Sequence, residues 1–419
     1  MPLRLKQVQS FPYFIMKSKI NSNIKFITIL FVIFVSAAEI DICVPSFPQI
    51  QNEFGLSPFK TEALLGANLL FHCIAALFAG TFGDKYGKKR MINTGFVIFI
   101  SGSLLCFFAP GYNSLISGRI LQGIGISASL VLAPIMILDL YEKEKQQKMM
   151  SMLNGFVTLA ICLAPIIGSY ATLLFNWRAN FLLLTLLGLV AFGMFHIFIT
   201  SDKNINSNAK LSIRDYTIVF KSKEAVLYIF GLAICIGAYY TFVGMSSIIY
   251  IDSFGVSLKN FGVYQGLLTF TFGIVSIFSG SIIHKIGKKT SFMISLGLMV
   301  VFLLLCLFAI VFNIQNPNYI TAIILVLSVG VVIPCNVMYV LGLDSIAGAS
   351  GKISGLLTTG KWLFTIVGIQ TASYFYTHDF RSTGLLIFVM EFATLVILLV
   401  LLNRNKKFHQ EVYYDTIGE

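Results

Sequence analysis

The sequence predicts an all-α integral membrane protein, with twelve transmembrane helices in two six-helix pseudo-repeats, on three observations. Of its 419 residues 57% are hydrophobic and 11% charged, against roughly 45 to 50% apolar and about 25% charged in soluble domains. The apolar residues gather into twelve runs, each near the roughly 20 helical residues that cross about 30 Å of hydrocarbon. A pattern in the first half recurs 200 residues later. The 30 basic and 18 acidic side chains are too few to coat soluble domains of this length, and the mean hydropathy of +0.84 agrees.

The first run, 26 to 48, follows residues 1 to 25, whose FPYFIM is too short to span. The basic flank MKSKINSNIK from Met16, with no small-residue cleavage site after the run, predicts an uncleaved signal anchor, with Met16 an alternative start to Met1. Five runs follow at 61 to 82, 92 to 110, 114 to 138, 150 to 174 and 180 to 200. Residues 201 to 223 form the longest polar stretch between two runs and read as a linker between halves 26–200 and 224–402. The second half offers runs at 224 to 251, 261 to 283, 291 to 313, 318 to 343, 353 to 376 and 383 to 402, before a tail over 403–419.

Basic loops stay cytoplasmic. With the N-terminus inside, 24 of the 30 basic residues fall in inner segments and four in outer loops (Lys60, Arg178, Lys259 and Arg381), while Arg119 and Lys361 lie within runs. Both termini are therefore expected in the cytoplasm, and the net charge of +12 is topological, with no call for a nucleic-acid partner. The seven cysteines all sit in apolar runs and never pair as CxxC, so they read as small buried hydrophobes and not as disulfides or metal ligands. No cofactor and no metal is expected, and no nucleophile, base and oxyanion set points to an enzyme.

The repeat pairs Gly80-x-x-x-Asp84-Lys85-x-Gly87-Lys88-Lys89 with Gly280-x-x-x-His284-Lys285-x-Gly287-Lys288-Lys289, and Phe54-Gly55-x-Ser57 with Phe254-Gly255-x-Ser257. Parallel six-helix repeats are a transporter pattern, with the substrate site between the halves near the midplane. The Gly80 to Lys89 loop resembles the signature between the second and third helices of the major facilitator superfamily. A carboxylate such as Asp84 at a helix C-terminus opposes the helix dipole and needs a partner, so a moving neighbour can make and break that contact. His284 replaces the acid in the second copy, which implies a weaker or pH-dependent lock there.

Other motifs narrow the resemblance. Arg119-Ile-Leu-Gln122-Gly123 is similar to the family's fourth-helix motif, and an arginine at that depth, costly in hydrocarbon, should face a cavity and a partner. Glu39-Ile-Asp41-Ile-Cys-Val-Pro45-Ser-Phe-Pro48 resembles the first helix of drug:proton antiporters, closest to the Bcr/CflA (bicyclomycin and chloramphenicol resistance) branch, with Val44 where that branch has Leu. Two carboxylates two residues apart cannot share one helix face. Asp41 matches the family position, and in a poorly hydrated cavity such a carboxylate can exchange a proton near neutral pH. Gly155-x8-Ala164-Pro165-Ile-Ile-Gly168 is similar to the antiporter's Gly-Pro-x-x-Gly motif, although Ala164 and Ser169 depart from it. Asn176-Trp177-Arg178-Ala179-Asn180-Phe181 matches the branch's Trp-Arg-x-x-Phe segment, and Asp139-Leu-Tyr fits, with Leu138 in place of the usual arginine.

The resemblance implies a proton-coupled exporter of a small molecule, working by alternating access as a monomer in a bacterial inner membrane. An importer or facilitator of a polar nutrient, or a receptor on the same scaffold, remains an alternative. Proton coupling is assigned to Asp41, Glu39 and Arg119. Conformational switching is assigned to Gly80, Asp84, Lys85, Gly87, Lys88, Lys89, Pro165, Gly168 and His284. Substrate contacts are expected from Arg119, Tyr239, Tyr240, Asn336 and Lys361, although aromatic and amide residues also pack helices. Lys361 lies nine residues beyond Lys352, about 13 Å deeper at 1.5 Å per residue, so a cavity-facing ammonium is expected and, with it, an anionic or zwitterionic substrate such as a siderophore. His72 and His196 read as packing histidines, and Glu391 as a peripheral or locally paired acid.

Overall fold

The computed structural model describes residues 22–200, 217–343, 345–346 and 350–404. The expected N-terminal segment up to 21, most of the linker (201–216) and the tail from 405 lie outside the described residues. Helix α1 (Ser22–Cys43) continues through a 3-10 turn (Val44–Ser46) into α2 (Phe47–Phe54). Five long helices follow: α3 (Pro58–Tyr86), α4 (Lys88–Phe107), α5 (Tyr112–Leu140), α6 (Lys143–Leu174) and α7 (Arg178–Phe198). After the short α8 (Thr217–Lys221) come α9 (Lys223–Ser247) with a π-helical turn (Ile248–Ser253), α10 (Leu258–Ile286), α11 (Lys288–Val311), α12 (Pro317–Leu343), α13 (Ser350–Tyr374) and α14 (Phe380–Arg404). Eleven spans are long and apolar enough to cross a membrane. The remaining long helix, α13, has 25 residues and carries Thr358, Thr359, Lys361 and Gln370 among its apolar ones.

The repeat in the sequence is also a repeat of backbone conformation. Gly55 and Gly255 take positive φ of 59° and 65°. Two residues on, Ser57 and Ser257 cap α3 and α10, accepting hydrogen bonds from the Lys60 and Asn260 N–H groups at 3.4 Å each. Both helices run 29 residues and stop at Gly87 and Gly287, whose φ values of 93° and 83° exclude other residues without strain.

Large apolar side chains such as Leu186, Leu304, Val367 and Phe392 point outward, whereas Glu39, Asn68, Arg119 and Gln122 are buried. This inverts the distribution of a soluble protein, as a lipid-facing surface requires. Small residues let the helices approach: a Cβ on Gly125 would fall 2.6 Å from the Gly95 carbonyl oxygen, and one on Gly168 only 2.1 Å from that of Ile42. Two long contacts join the first six spans to the last six, α6 on α10 and α3 on α13.

Candidate functional site

Glu39 on α1 meets Arg119 on α5 in a fully buried ion pair, Arg119 Nη1 donating to Glu39 Oε1. The same Nη1 donates to Gln122 Oε1 at 2.8 Å, and Gln122 Nε2 donates to Ser103 Oγ on α4 at 2.8 Å. From α3, Asn68 Nδ2 donates to Glu39 Oε1 at 3.1 Å and to the Arg119 carbonyl at 3.0 Å. Four helices thus converge on one charge pair. Capacity is left over: Arg119 Nε and Nη2 and Glu39 Oε2 are buried without partners.

Asp41 stands apart from this network. It is 7% exposed and makes no side-chain hydrogen bond or ion pair among the described residues. Glu39 acts on it electrostatically, and it acts in turn on Cys162 of α6 and, across the contact between halves, on Tyr239 and Tyr240 of α9, whereas Arg119 is acted on by Glu39, Cys43 and Cys106. Gly168 packs on the Ile42 backbone beside Asp41, and the buried Pro165 sits one turn earlier inside α6.

A cavity of about 410 Å³ opens between α6, α9 and α10, lined by Thr158, Tyr239, Tyr240, Thr269, Phe272 and Ser276 among others. Its wall is an aromatic cluster. Tyr239 stacks on Phe272 at 4.8 Å between ring centroids, and Tyr240 lies 5.2 Å from Trp362. The half-buried Lys361 holds its ammonium 4.6 Å over the Trp362 ring and acts electrostatically on His72 and Cys73 of α3. Among the described residues no carboxylate pairs with it. Asn336 points elsewhere, donating to Ser279 Oγ at 2.8 Å and tying α12 to α10.

The glycine-lysine loop is arranged differently from expectation. Asp84 is exposed and has no ion pair among the described residues; the loop's pair is Lys88 to Asp139 of α5 at 2.6 Å, and Lys89 Nζ donates to the His196 carbonyl at 2.8 Å. Lys85 lies over the Tyr86 ring at 5.3 Å. A Cβ on Gly80 would meet no neighbour, and His284 is exposed like Asp84. Trp177 and Arg178 form a clamp, Trp177 Nε1 donating to Glu53 Oε2 at 2.6 Å and Arg178 Nη1 to Glu53 Oε1 at 2.7 Å. Beyond the α13 terminus, Tyr376 bonds Ser253 of the π turn, and burial pushes its hydroxyl up to about 12.

Sequence reasoning missed Asn68, Gln122 and Glu62. Glu62 is fully buried with both carboxylate oxygens unpartnered; its one signal was an acid inside an apolar run, at the run's edge. Glu391, expected at the periphery, is buried with both oxygens unpartnered and acts electrostatically on Cys235. Cys235 and Cys335 bring their sulfurs to 3.2 Å as free thiols.

This arrangement, a helical bundle built on two similar halves with charges buried beside a cavity at their contact, is that of a membrane transporter. Residues 29–369 match the family model described as Major Facilitator Superfamily, and the chain belongs to that family. It is 29% identical over 263 residues to a bicyclomycin resistance protein homolog of Haemophilus influenzae, an alignment covering 62% of this chain and 66% of that one. It is 24% identical over 394 residues to the multidrug resistance protein MdtL of Salmonella paratyphi A, covering 90% and 95%. These relatives agree with the Bcr/CflA resemblance of the first helix. The fold matches a crystal structure of the peptide transporter POT in complex with sulfate at a TM-score of 0.74 and 13% identity, over 91% of this chain and 94% of that one.

Proposed function

We propose that the chain is a proton-coupled exporter of a small anionic or zwitterionic molecule, working by alternating access in a bacterial plasma membrane with both termini in the cytoplasm. One observation carries the reading: a buried guanidinium is bound to one carboxylate, Glu39, two residues from a second, Asp41, that makes no hydrogen bond or ion pair among the described residues. Asp41 can gain or lose a proton without breaking a hydrogen bond. Neutral, it leaves Glu39 and Arg119 as a balanced pair. Ionised, it adds a second negative charge two residues from the first, and that charge pulls on the balance of the Glu39–Arg119 pair. That pull acts between α1 and α5, and the close contact of Gly168 with the Ile42 backbone transmits it to α6 and the cavity wall.

The cavity suits a planar or aromatic body against Tyr239, Tyr240 and Phe272; Lys361 is not part of its lining but stands behind Tyr240, over the Trp362 ring, and would meet a carboxylate once the halves move. The drug-resistance names of the relatives support export over uptake. Asp41→Asn is expected to abolish accumulation driven by an acid-inside proton gradient in inverted vesicles. Undiminished accumulation by that variant would overturn proton coupling at Asp41.

A further inference from the structure

Glu62 has no place in the coupling network described so far. It lies on α3, one turn from the Ser57 cap, fully buried, with Oε1 and Oε2 both unpartnered. Its surroundings follow from the packing one layer deeper. There Leu65 of α3 and Ile369 of α13 meet at Gly244 of α9, and Gly66 faces Ile366 and Gln370. Phe59 packs on Tyr374, at the far end of α13, so α3 and α13 are antiparallel; the π turn that prolongs α9 meets α2 just before α3, so α9 is antiparallel to α3 as well. One turn earlier on α3 is therefore level with one turn later on the other two. That register puts Ser247 of α9 and Ser373 of α13 at the level of Glu62. Ser247 Oγ and Gln370 Nε2 are also buried without partners. Orphaned polar atoms from both halves thus collect along one seam.

The ionisable groups on the helices packed against α3 leave Glu62 alone. Glu53 of α2 is engaged by Trp177 and Arg178. Arg119 of α5 is level with Asn68 and bound to Glu39. Lys88, Lys89 and Arg90 of α4 and Asp139 of α5 lie at the opposite end of α3, as do Lys223 and Glu224 of α9. Tyr239 and Tyr240 of α9 and Lys361 of α13 lie deeper. Tyr112 opens α5, and Tyr374 of α13 is occupied with Phe59. None of them acts electrostatically on Glu62, which feels burial alone. An enclosed carboxylate that makes no ion pair and no hydrogen bond among the described residues is not kept as an anion, and an ionisable residue so placed in a membrane protein calls for a function.

We propose that Glu62 is a second proton-binding site that latches the seam between α3, α9 and α13: as the neutral acid it is sealed between the halves, and as the carboxylate it opens them to reach water. Closing this end of the transporter then takes up a proton and opening it releases one. The role in transport rests on the proton-coupled reading above; the latch itself does not.

Spin labels on Lys60→Cys and Thr377→Cys, both exposed positions, report the separation of α3 and α13 in the full chain in lipid. Over about pH 5 to about pH 9, a range spanning perturbed carboxylate pKa values, the parent is expected to shift to longer distances. Glu62→Gln, which keeps the shape of the neutral acid, is expected to hold the short distance throughout. Glu62→Asp, which keeps a titrating group, restores the shift, and Asp41→Asn leaves it in place. A parent with no shift, a Glu62→Gln protein that shifts like the parent, or loss of the shift in Asp41→Asn would each overturn the latch. An intact Glu62-dependent shift in a protein whose vesicle transport ignores the proton gradient would sink the coupling reading alone.

Discussion

Arg119 divides its donors unevenly, with Nη1 crowded and Nε and Nη2 idle, and its removal has a calculable effect. Arg119→Ala leaves Glu39 charged and enclosed, a loss of about 3–5 kcal/mol in buried pairs of this kind. The expected result is a large fall in melting temperature in detergent. Adding Glu39→Gln to that variant should recover most of the loss, and a purely additive double variant would show that the pair is not the reason. Arg119, Asp41 and Lys361 were legible because each interrupts an apolar run with a charge that hydrocarbon does not tolerate. Which acid binds the arginine was not legible. Residues 39 and 41 carry the same chemistry, and Asn68 of a different helix makes the choice. Glu62 escaped notice because an acid one turn from a loop reads as interfacial until the neighbouring helices close over it. Asp84 is the converse: its motif is plain, but its partner is absent from this arrangement of the helices. Asp84→Asn should therefore leave melting temperature unchanged while slowing the exchange of states, measured as the labelling rate of a cysteine introduced at Ser276.

Helix ends were legible where backbone chemistry fixes them. The Ser57 and Ser257 caps and the positive φ of Gly87 and Gly287 recur at the repeat spacing, so the pattern of residues foretold a pattern of turns. The apolar runs understated helix length. The run at 61 to 82 belongs to a helix from Pro58 to Tyr86, because polar end turns satisfy their backbone by helix bonds as well as apolar ones do. Gly87→Ala puts a side chain on a conformation that costs about 1–3 kcal/mol. A matching fall in melting temperature is expected, with Gly287→Ala behaving alike. Gly168→Val meets backbone, with its Cβ 2.1 Å from the Ile42 oxygen. It should separate α1 from α6 and lower the yield of folded protein in size-exclusion chromatography, while Gly155→Val, with open space around it, should be tolerated.

For the whole molecule, the all-helical membrane fold and the repeat of backbone turns were legible from hydropathy and the repeated pattern, whereas only eleven of the twelve expected runs fall in helices long and apolar enough to span, the polar residues of α13 setting it apart. The cavity was not legible, since it arises where α6 of the first half meets the consecutive α9 and α10 of the second, at Thr158, Tyr240 and Phe272. On the proposed substrate class, Lys361→Ala should reduce transport of a carboxylate-bearing compound at least ten-fold, about 1.4 kcal/mol, and spare a neutral one. Equal losses would assign Lys361 to packing, and vigorous export of permanently cationic dyes by the parent would count against an anionic substrate.

The two halves share a backbone plan but hold different chemistry. Glu39, Asp41, Glu62 and Arg119 all belong to the first six spans, while Tyr239, Tyr240, Phe272, Lys361 and Trp362 belong to the last six. On the proposed function, one side would be the engine and the other the glove. Under that proposal the chain would be modular for selection: a hybrid with its second half taken from a relative should carry that relative's compounds while keeping the proposed dependence on the proton gradient. New substrate ranges could then arise by exchanging gloves while the engine stays untouched.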